Sequence, residues 1–396
     1  MSSTYLPRQI AVGPNSLEQL GEIAIGNDAS KLFVVIDGFL VTSDIQLDKR
    51  IGHILQKEGL EVTFFSDYQG EPTTDHLESA LNLLHTSQAD CVVAIGGGSA
   101  IDIAKAVSLF ALNIDLAWDE ITSKNRLKRL PLIAIPTTAG TGSEATKVMV
   151  IKDMKTDIKM NPGHKDLVPD VAILDPELTT SLPKHFTAYT GLDALAHAME
   201  AYVSTLACDT TDSYALNAIR LIGKALPNAY KNGSDIKARE QMLLASCYAG
   251  IAFSNASTNL AHAAGRPLGA RFHIPHGLSI ALLLPFVVDL GLEEAEERYA
   301  EIAIEFGEEE KDNPKQLAQK TRTKLDYYND QFQIWEDGLK YIDIEDFREN
   351  IPLLVNDALN GNGIITNPKV PQKSDIENIY HSLLKKLTET AMNKVF

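Results

Sequence analysis

The sequence predicts an α/β N-terminal domain built on a parallel sheet, followed by an all-α C-terminal domain. Two observations carry this. Short β-rich runs alternate with amphipathic stretches through the first half, the pattern of a parallel sheet covered by helices. After Asp175-Pro176 the Val/Ile-rich runs become scarce, and Ala, Leu, Glu and Lys dominate at helical period. Length agrees: 396 residues exceed one hydrophobic core, which stops growing at about 250–300 residues. The boundary is expected within 176–185, dividing the chain into domains 1–180 and 181–396.

In chain order, strands are expected at Lys31–Ile36 (KLFVVI), Glu61–Phe65 (EVTFF), residues 91–95 (CVVAI) and 132–135 (LIAI). Amphipathic helices are expected at 45–58 and 75–86. Two more β-rich runs, 147–151 and Val171–Leu174, close the first half. Beyond it, 307–315 (GEEEKDNPK) reads as a charged surface loop, and 360–368 as a connection before a final amphipathic helix. The apolar stretch 278–288 is too short to cross a bilayer and is expected to be a buried helix.

Composition excludes several classes. With 44% apolar and 22% charged residues, the chain has an ordinary globular balance. A net charge of −17 argues against nucleic acid and anionic lipid, which require clustered Lys and Arg. No uninterrupted apolar run of about 18 residues is present, so no membrane span is expected. Cys91, Cys208 and Cys247 show no CxxC spacing and are expected to be buried thiols. The opening MSSTYLPRQIAVG lacks the cationic start and apolar core of a secretion signal, so a reducing, cytoplasmic setting is expected.

Two loops carry the first functional signal. The strand at 91–95 runs into Gly96-Gly97-Gly98-Ser99, and 100–108 has helix-forming composition. Strand, glycine turn and helix N-terminus in that order form an anion site, because free backbone N–H groups and the helix dipole face a phosphate. The same order also serves as a plain tight turn, and it is not the usual GxGxxG fingerprint. A second polar loop, PTTAGTGSE at 136–144, follows the next strand, where open α/β sheets bind ligands. Together the loops favour a nucleotide. Asp37 ends the first strand; a carboxylate there accepts from an adenosine ribose and repels a 2′-phosphate, favouring NAD over NADP, although a turn aspartate fits as well.

Candidate metal ligands come from two segments. GLDALAHAMEAY places Asp193 and His197 four residues apart, on one helix face. HAAGRPLGARFHIPHG offers His262, His273 and His276. Neutral imidazoles with one carboxylate suit Fe(II) or Zn(II), whereas Ca and Mg prefer oxygen. Which histidines bind is open at this point. His53, His76, His85, His164, His185 and His381 have no such partners and are expected at the surface.

With GGGSAIDIAKAV, PTTAGTGSEAT, DPELTTSLP, TGLDALAHAMEAYVS and IPHGLSIALLLP in order along essentially the whole chain, the sequence resembles the iron-dependent (group III) alcohol dehydrogenases. The resemblance implies a Rossmann-like NAD-binding domain and a dehydroquinate synthase-like helical domain. It implies Asp193, His197, His262 and His276 as ligands, with His273 outside them. For the cofactor it implies Gly97, Gly98, Ser99 and Asp102, then Thr137, Thr138, Thr141 and Ser143, with Asp37, Lys159 and Leu178 near the adenosine and ribose. It implies hydride transfer between NAD(H) and a small primary alcohol or aldehyde, in the cleft between domains, by a homodimer or larger homo-oligomer.

One departure stands out. Where many relatives read HxxxHPLG, this chain reads HAAGRPLG, with Arg266 in place of the second histidine. Arg266 cannot act as a base at neutral pH, but it can grip an anion in a bidentate way. An aldehyde bearing a sulfonate, phosphonate or carboxylate, such as sulfoacetaldehyde, is the expected substrate class, an internal salt bridge being the other use of this arginine. The remaining alternatives are a zinc glycerol-dehydrogenase-like oxidoreductase, a dehydroquinate-synthase-like lyase, and a non-catalytic nucleotide- or metal-binding protein.

Overall fold

The computed structural model of the chain describes residues 3–393. It divides into two compact units, Tyr5–Ser181 and the helical remainder from Leu182 onward.

The first unit begins with β1 (Gln9–Val12), α1 (Leu20–Gly26) and β2 (Lys31–Ile36). Next come α2 (Gly38–Thr42), α3 (Leu47–Lys57), β3 (Glu61–Phe65), α4 (Thr74–Ser87), β4 (Cys91–Gly96), α5 (Gly98–Phe110) and β5 (Leu132–Pro136). The unit ends with β6 (Ile151–Lys152), β7 (Lys159–Met160) and β8 (Val171–Leu174). Six strands form one sheet in the order β1-β8-β5-β4-β2-β3, and every pairing in it is parallel. Side chains alternate between two apolar layers. Phe33, Val35, Val92 and Ala94 face the layer containing α4 and α5 residues. Val34, Ile36, Val93 and Ile95 face the layer containing α1 and α3 residues. Both faces are covered, which is why these strands read as continuous apolar runs.

The chain leaves β2 for β3 on one side and returns through α4 to β4 on the other. The β2/β4 boundary is therefore a topological switch point, where a crevice opens beyond the carboxyl ends of the strands. Two differences from the sequence expectation follow from hydrogen bonding. β1 is an extra edge strand; its four residues are half-exposed and lack a clear alternation. The run 147–151 stays out of the main sheet: Ile151 pairs in the β6/β7 hairpin, and Val148 forms an isolated antiparallel bridge with Gly163. Its backbone is otherwise engaged: Val148 O accepts from Lys105 Nζ at 2.6 Å, and Val150 N donates to Asp102 Oδ2 at 2.9 Å.

The second unit contains α6 (Lys184–Val203), α7 (Asp209–Lys231), α8 (Ile236–Asn255), α9 (Leu260–Phe272) and α10 (His276–Gly291). It continues with α11 (Glu296–Glu305), α12 (Pro314–Gln331), α13 (Ile334–Gly338), α14 (Ile344–Leu359) and α15 (Lys373–Asn393). α6 packs against α7, α8 and α10, and α10 also packs against α9, α12, α13 and α15. This enclosure explains the apolar stretch at 278–288. Among the described residues no helix is long and apolar enough to cross a membrane.

α10 meets α6 at Gly277, where an added Cβ would lie 2.3 Å from Tyr189 O and 3.3 Å from Asp193 Cβ. A carbonyl cannot yield to that extent without moving one helix. Gly277→Ala is expected to lower stability by about 1–3 kcal/mol, read as a fall in the midpoint of chemical unfolding, with α-helical circular dichroism retained before the transition.

A candidate metal centre and a candidate dinucleotide crevice

Helical period sets the first half of the metal centre. Asp193 and His197 lie one turn apart on α6 and are both buried. His262 comes from the first turn of α9, and His276 is the first residue of α10. Ligand atoms of Asp193, His262 and His276 lie within 4.8 Å of one another. His262 Nε2 is 3.4 Å and His276 Nε2 is 3.7 Å from Asp193 Oδ1. His197 Nδ1 stands 4.0 Å from Asp193 Oδ2, and its ring stacks on His262 at 4.4 Å and on Phe253 at 4.2 Å.

The donor set fits a cation. Asp193 Oδ1, His197 Nδ1 and His262 Nε2 are buried with no hydrogen-bond partner, an arrangement that is unfavourable until a cation occupies it. Burial pulls His197 down to about 3, so its imidazole is neutral and its lone pair available. Burial alone would raise Asp193, but His197, His276 and His262 hold it well below the usual carboxylate range. His276 is the open member, with 47% of its side chain exposed. Nitrogen with one carboxylate suits Fe(II) or Zn(II).

The sequence reading missed Glu200. It lies three residues after His197, on the same face of α6, so its spacing carried the signal. Glu200 Oε1 accepts from Ala261 N at 2.7 Å, and Oε2 contacts His262 Nδ1. Burial opposes ionisation of Glu200, but the charge and hydrogen bond of His262 outweigh it and lower its pKa. Arg266, one turn beyond His262, has no salt-bridge partner among the described residues, so the internal ion pair is not formed. Its side chain is exposed to solvent, yet enough protein surrounds it to lower its pKa, while the fields of Glu200 and Asp193 raise it. His273 is exposed and caps α9 with a left-handed backbone, φ 54°, apart from the three converging ligands.

The dinucleotide candidates gather at the switch point. Gly97 caps α5, and Gly98 is its first residue, leaving the free N–H groups of that helix at the end of β4. Gly98 has a packing reason as well: an added Cβ would lie 2.8 Å from Thr141 Cγ2. The two loops therefore touch, and Thr137 N donates to Gly96 O at 2.9 Å. Ser99, Thr138 and Thr141 are half-buried, while Thr137 and Ser143 are buried. Across the crevice, Asp37 N donates to Ile95 O at 3.1 Å. Asp37 Oδ1 caps α2 through Phe39 N at 3.0 Å, which leaves its other oxygen for a ligand.

Other predicted residues are engaged elsewhere. Lys159 is exposed and paired with Glu71. Leu178 is buried in the apolar layer beside α1 and α3. His164, expected at the surface, is 7% exposed, because its Nε2 meets Lys124 O at 2.9 Å and its Nδ1 accepts from Asp166 N. Cys91 and Cys247 are buried, but Cys208 is only half-buried.

Behind the loops lies a second buried cluster. Lys105, fully enclosed, donates to Thr146 Oγ1 at 2.8 Å and to Val148 O at 2.6 Å. Asp102 turns inward to Val150 N and the Ser143 hydroxyl. Burial raises Asp102 to about 6 and Glu144 to about 7, and lowers Lys105 to about 8. Glu144 thus keeps its proton in the folded state to higher pH than in the unfolded chain. Its stabilising contribution is complete below about 4.5 and disappears as pH rises through about 7. Glu144→Gln lacks this titration. In urea unfolding across that interval, wild type is expected to lose on the order of 3 kcal/mol relative to the variant; parallel pH profiles would contradict the assignment.

Residues 7–176 match the family described as iron-containing alcohol dehydrogenase. Residues 187–384 match the C-terminal part of the Fe-containing alcohol dehydrogenase family. The chain is 45% identical over 298 residues to the probable alcohol dehydrogenase EutG of Escherichia coli, covering 75% of each chain. It is 33% identical over 387 residues to the NAD-dependent methanol dehydrogenase of Bacillus methanolicus, covering 97% of this chain and all of that one. It is 34% identical over 380 residues to the NADPH-dependent butanol dehydrogenase of Clostridium saccharobutylicum, covering 95% and 96%. Among solved structures, a 1,3-propanediol oxidoreductase superposes with TM-score 0.90 at 31% identity, over 97% of this chain and 100% of that one. Sulfoacetaldehyde reductase from Bifidobacterium kashiwanohense, in complex with NAD+, superposes with TM-score 0.86 at 29% identity, over 97% and 99%. This chain belongs to the iron-containing alcohol dehydrogenase family.

Proposed function

We propose that this protein is a metal-assisted oxidoreductase that interconverts small primary alcohols and aldehydes with NAD(H), and that it favours aldehydes bearing an anionic group. The observation that carries the reading is the pairing, in one chain, of unpartnered imidazole and carboxylate lone pairs with a glycine-lined switch-point crevice. Neither is needed by a purely structural protein. The overall exchange is aldehyde + NADH + H+ to alcohol + NAD+, and the reverse.

Asp193, His197, His262 and His276 would hold Fe(II) or Zn(II), which supplies Lewis acidity toward a carbonyl or alcohol oxygen. The crevice residues would hold NAD(H), which supplies or accepts the hydride. Asp193 brings the single negative charge of the ligand set, and neutral His197 supplies a lone pair without adding charge. The N-terminus of α5, with the N–H groups after Gly97, meets the pyrophosphate. Asp37 accepts from the adenosine ribose and opposes a 2′-phosphate, which supports NAD; the relatives above include both an NAD- and an NADPH-dependent enzyme. Arg266 stays protonated at neutral pH and so serves as an anion grip, leaving the proton of the exchange to come from elsewhere. The likeness to a sulfoacetaldehyde reductase supports the same substrate class.

Protein loaded anaerobically with Fe(II) or Zn(II) is expected to oxidise NADH faster than NADPH with short aldehydes, and chelation is expected to abolish turnover, followed at the NADH absorbance band. Absence of NADH turnover across the aldehydes would favour a lyase or a non-catalytic binding protein. Arg266→Ala is expected to reduce kcat/KM for sulfoacetaldehyde about 10- to 100-fold, the scale of a charge-assisted hydrogen bond of about 1.5–3 kcal/mol. On propionaldehyde the change is expected to stay within a few-fold. Equal losses on both aldehydes would remove the anion grip while leaving the dehydrogenase assignment intact.

A further inference from the structure

We infer that Glu200 is the positioning residue that locks His262 in the tautomer with its proton on Nδ1 and its Nε2 lone pair facing the metal centre, and that only a carboxylate can do this. The inference rests on the reading of Asp193, His262 and His276 as metal ligands.

Three donors converge on this one side chain, which is 3% exposed. Ala261 N and His262 N donate to Oε1 at 2.7 and 3.3 Å. His262 Nδ1 meets Oε2. Backbone N–H groups can only donate, so Oε1 must accept. An ionised carboxylate carries no proton of its own, so Nδ1 must donate to Oε2. That assigns the ring proton and leaves Nε2, 3.4 Å from Asp193 Oδ1, as the ligating nitrogen. A histidine ligand is commonly held this way by a carboxylate on its other nitrogen.

Glu200 also sets where α9 begins. Asn259, at the N-cap of α9, makes no side-chain cap bond to its own helix. Its Nδ2 instead donates to Glu200 O at 2.7 Å, and the Glu200 carboxylate satisfies the free N–H groups of Ala261 and His262. One residue of α6 therefore fixes both the start of α9 and the rotation of the imidazole that α9 carries.

An amide cannot replace it. If its oxygen stays on Ala261 N and His262 N, its NH2 faces Nδ1, which must then accept; the ring proton moves to Nε2 and the ligand is lost. If the amide is turned over, its NH2 faces two backbone donors. Glu200→Gln is nearly isosteric, so this is a test of chemistry more than of packing.

Wild type, Glu200→Gln, Glu200→Asp and Asp193→Asn are compared by Zn(II) titration against a chelator, by Co(II) d–d absorption, and by the imidazole N–H signals of Zn(II)-loaded, 15N-histidine-labelled protein. Wild type is expected to bind one ion and to show a protected Nδ1–H signal that is lost in His262→Gln. Glu200→Gln is expected to bind about 10- to 100-fold more weakly, with a changed Co(II) spectrum and no such signal. Glu200→Asp, which keeps a carboxylate, is expected to retain the signal. Wild-type affinity and an intact Nδ1–H signal in Glu200→Gln would overturn the inference, as would loss of the signal in Glu200→Asp. Failure of wild type to bind metal any better than Asp193→Asn would instead overturn the metal-centre reading beneath it.

Discussion

The helical unit is organised around a charge that has to be kept out of water. Asp193, His197, Glu200 and His262 are each at most 6% exposed, and withdrawing a carboxylate such as Asp193 or Glu200 from solvent costs several kcal/mol unless other groups answer it. Here carboxylates and imidazoles alternate. His262 sits between Asp193 and Glu200, and His197 and His276 flank Asp193. Asp193 Oδ1, His197 Nδ1 and His262 Nε2 make no hydrogen bond to the protein; burial lowers the His262 pKa, but Glu200 and Asp193 outweigh it and raise it to about 9. α6 must supply two carboxylates and an imidazole on one face, while α7, α8, α9, α10 and α11 press against it. That requirement accounts for its many Ala residues, which let the neighbouring backbones approach without filling the space the cluster occupies.

The α/β unit meets a related problem with an internal cation. Lys105 lies among Asp102, Glu144, Thr146 and Val148. It joins the helix that follows the glycine turn to the segment that follows the Thr-rich loop. Because this ammonium belongs to the chain, the two loops hold their mutual position without a ligand. The helical cluster, by contrast, contains no lysine and sets its carboxylates against imidazoles.

Much of the fold could be read from local pattern. Strands β2, β4, β5 and β8 are nearly continuous apolar runs bounded by turn residues, since burial on both faces leaves little need for polar side chains. β1 escaped notice because an edge strand of four residues carries little periodic signal. The run at 147–151 looked like a strand because Val, Met and Ile dominate it. Its backbone groups are instead shared between side chains more than forty positions earlier, Lys105 on Val148 O and Asp102 on Val150 N, and the nearby 162–164 segment. His164 fails as a surface residue for the same kind of reason. Its sequence neighbours are polar, but its ring meets Lys124 O, forty residues away. Glu200 was legible in principle through its i+3 spacing from His197, yet a glutamate on a helix is so often solvated that spacing alone does not distinguish it.

The amino-acid sequence by itself determined the fold class, the family, the glycine turn and the residue types able to hold a metal, because these depend on periodicity and on side-chain chemistry along a few consecutive residues. Tertiary structure decided what local pattern cannot contain. It brings His262 and His276 from two other helices to Asp193. It turns Asp102 inward and leaves Asp37 an oxygen free at the crevice. It leaves Arg266 without an internal carboxylate partner. It sets Glu200 against His262 Nδ1, and so determines which nitrogen of that ring carries the proton. Each of these depends on distances between residues far apart in the chain, and those distances exist only once the helices and strands have packed.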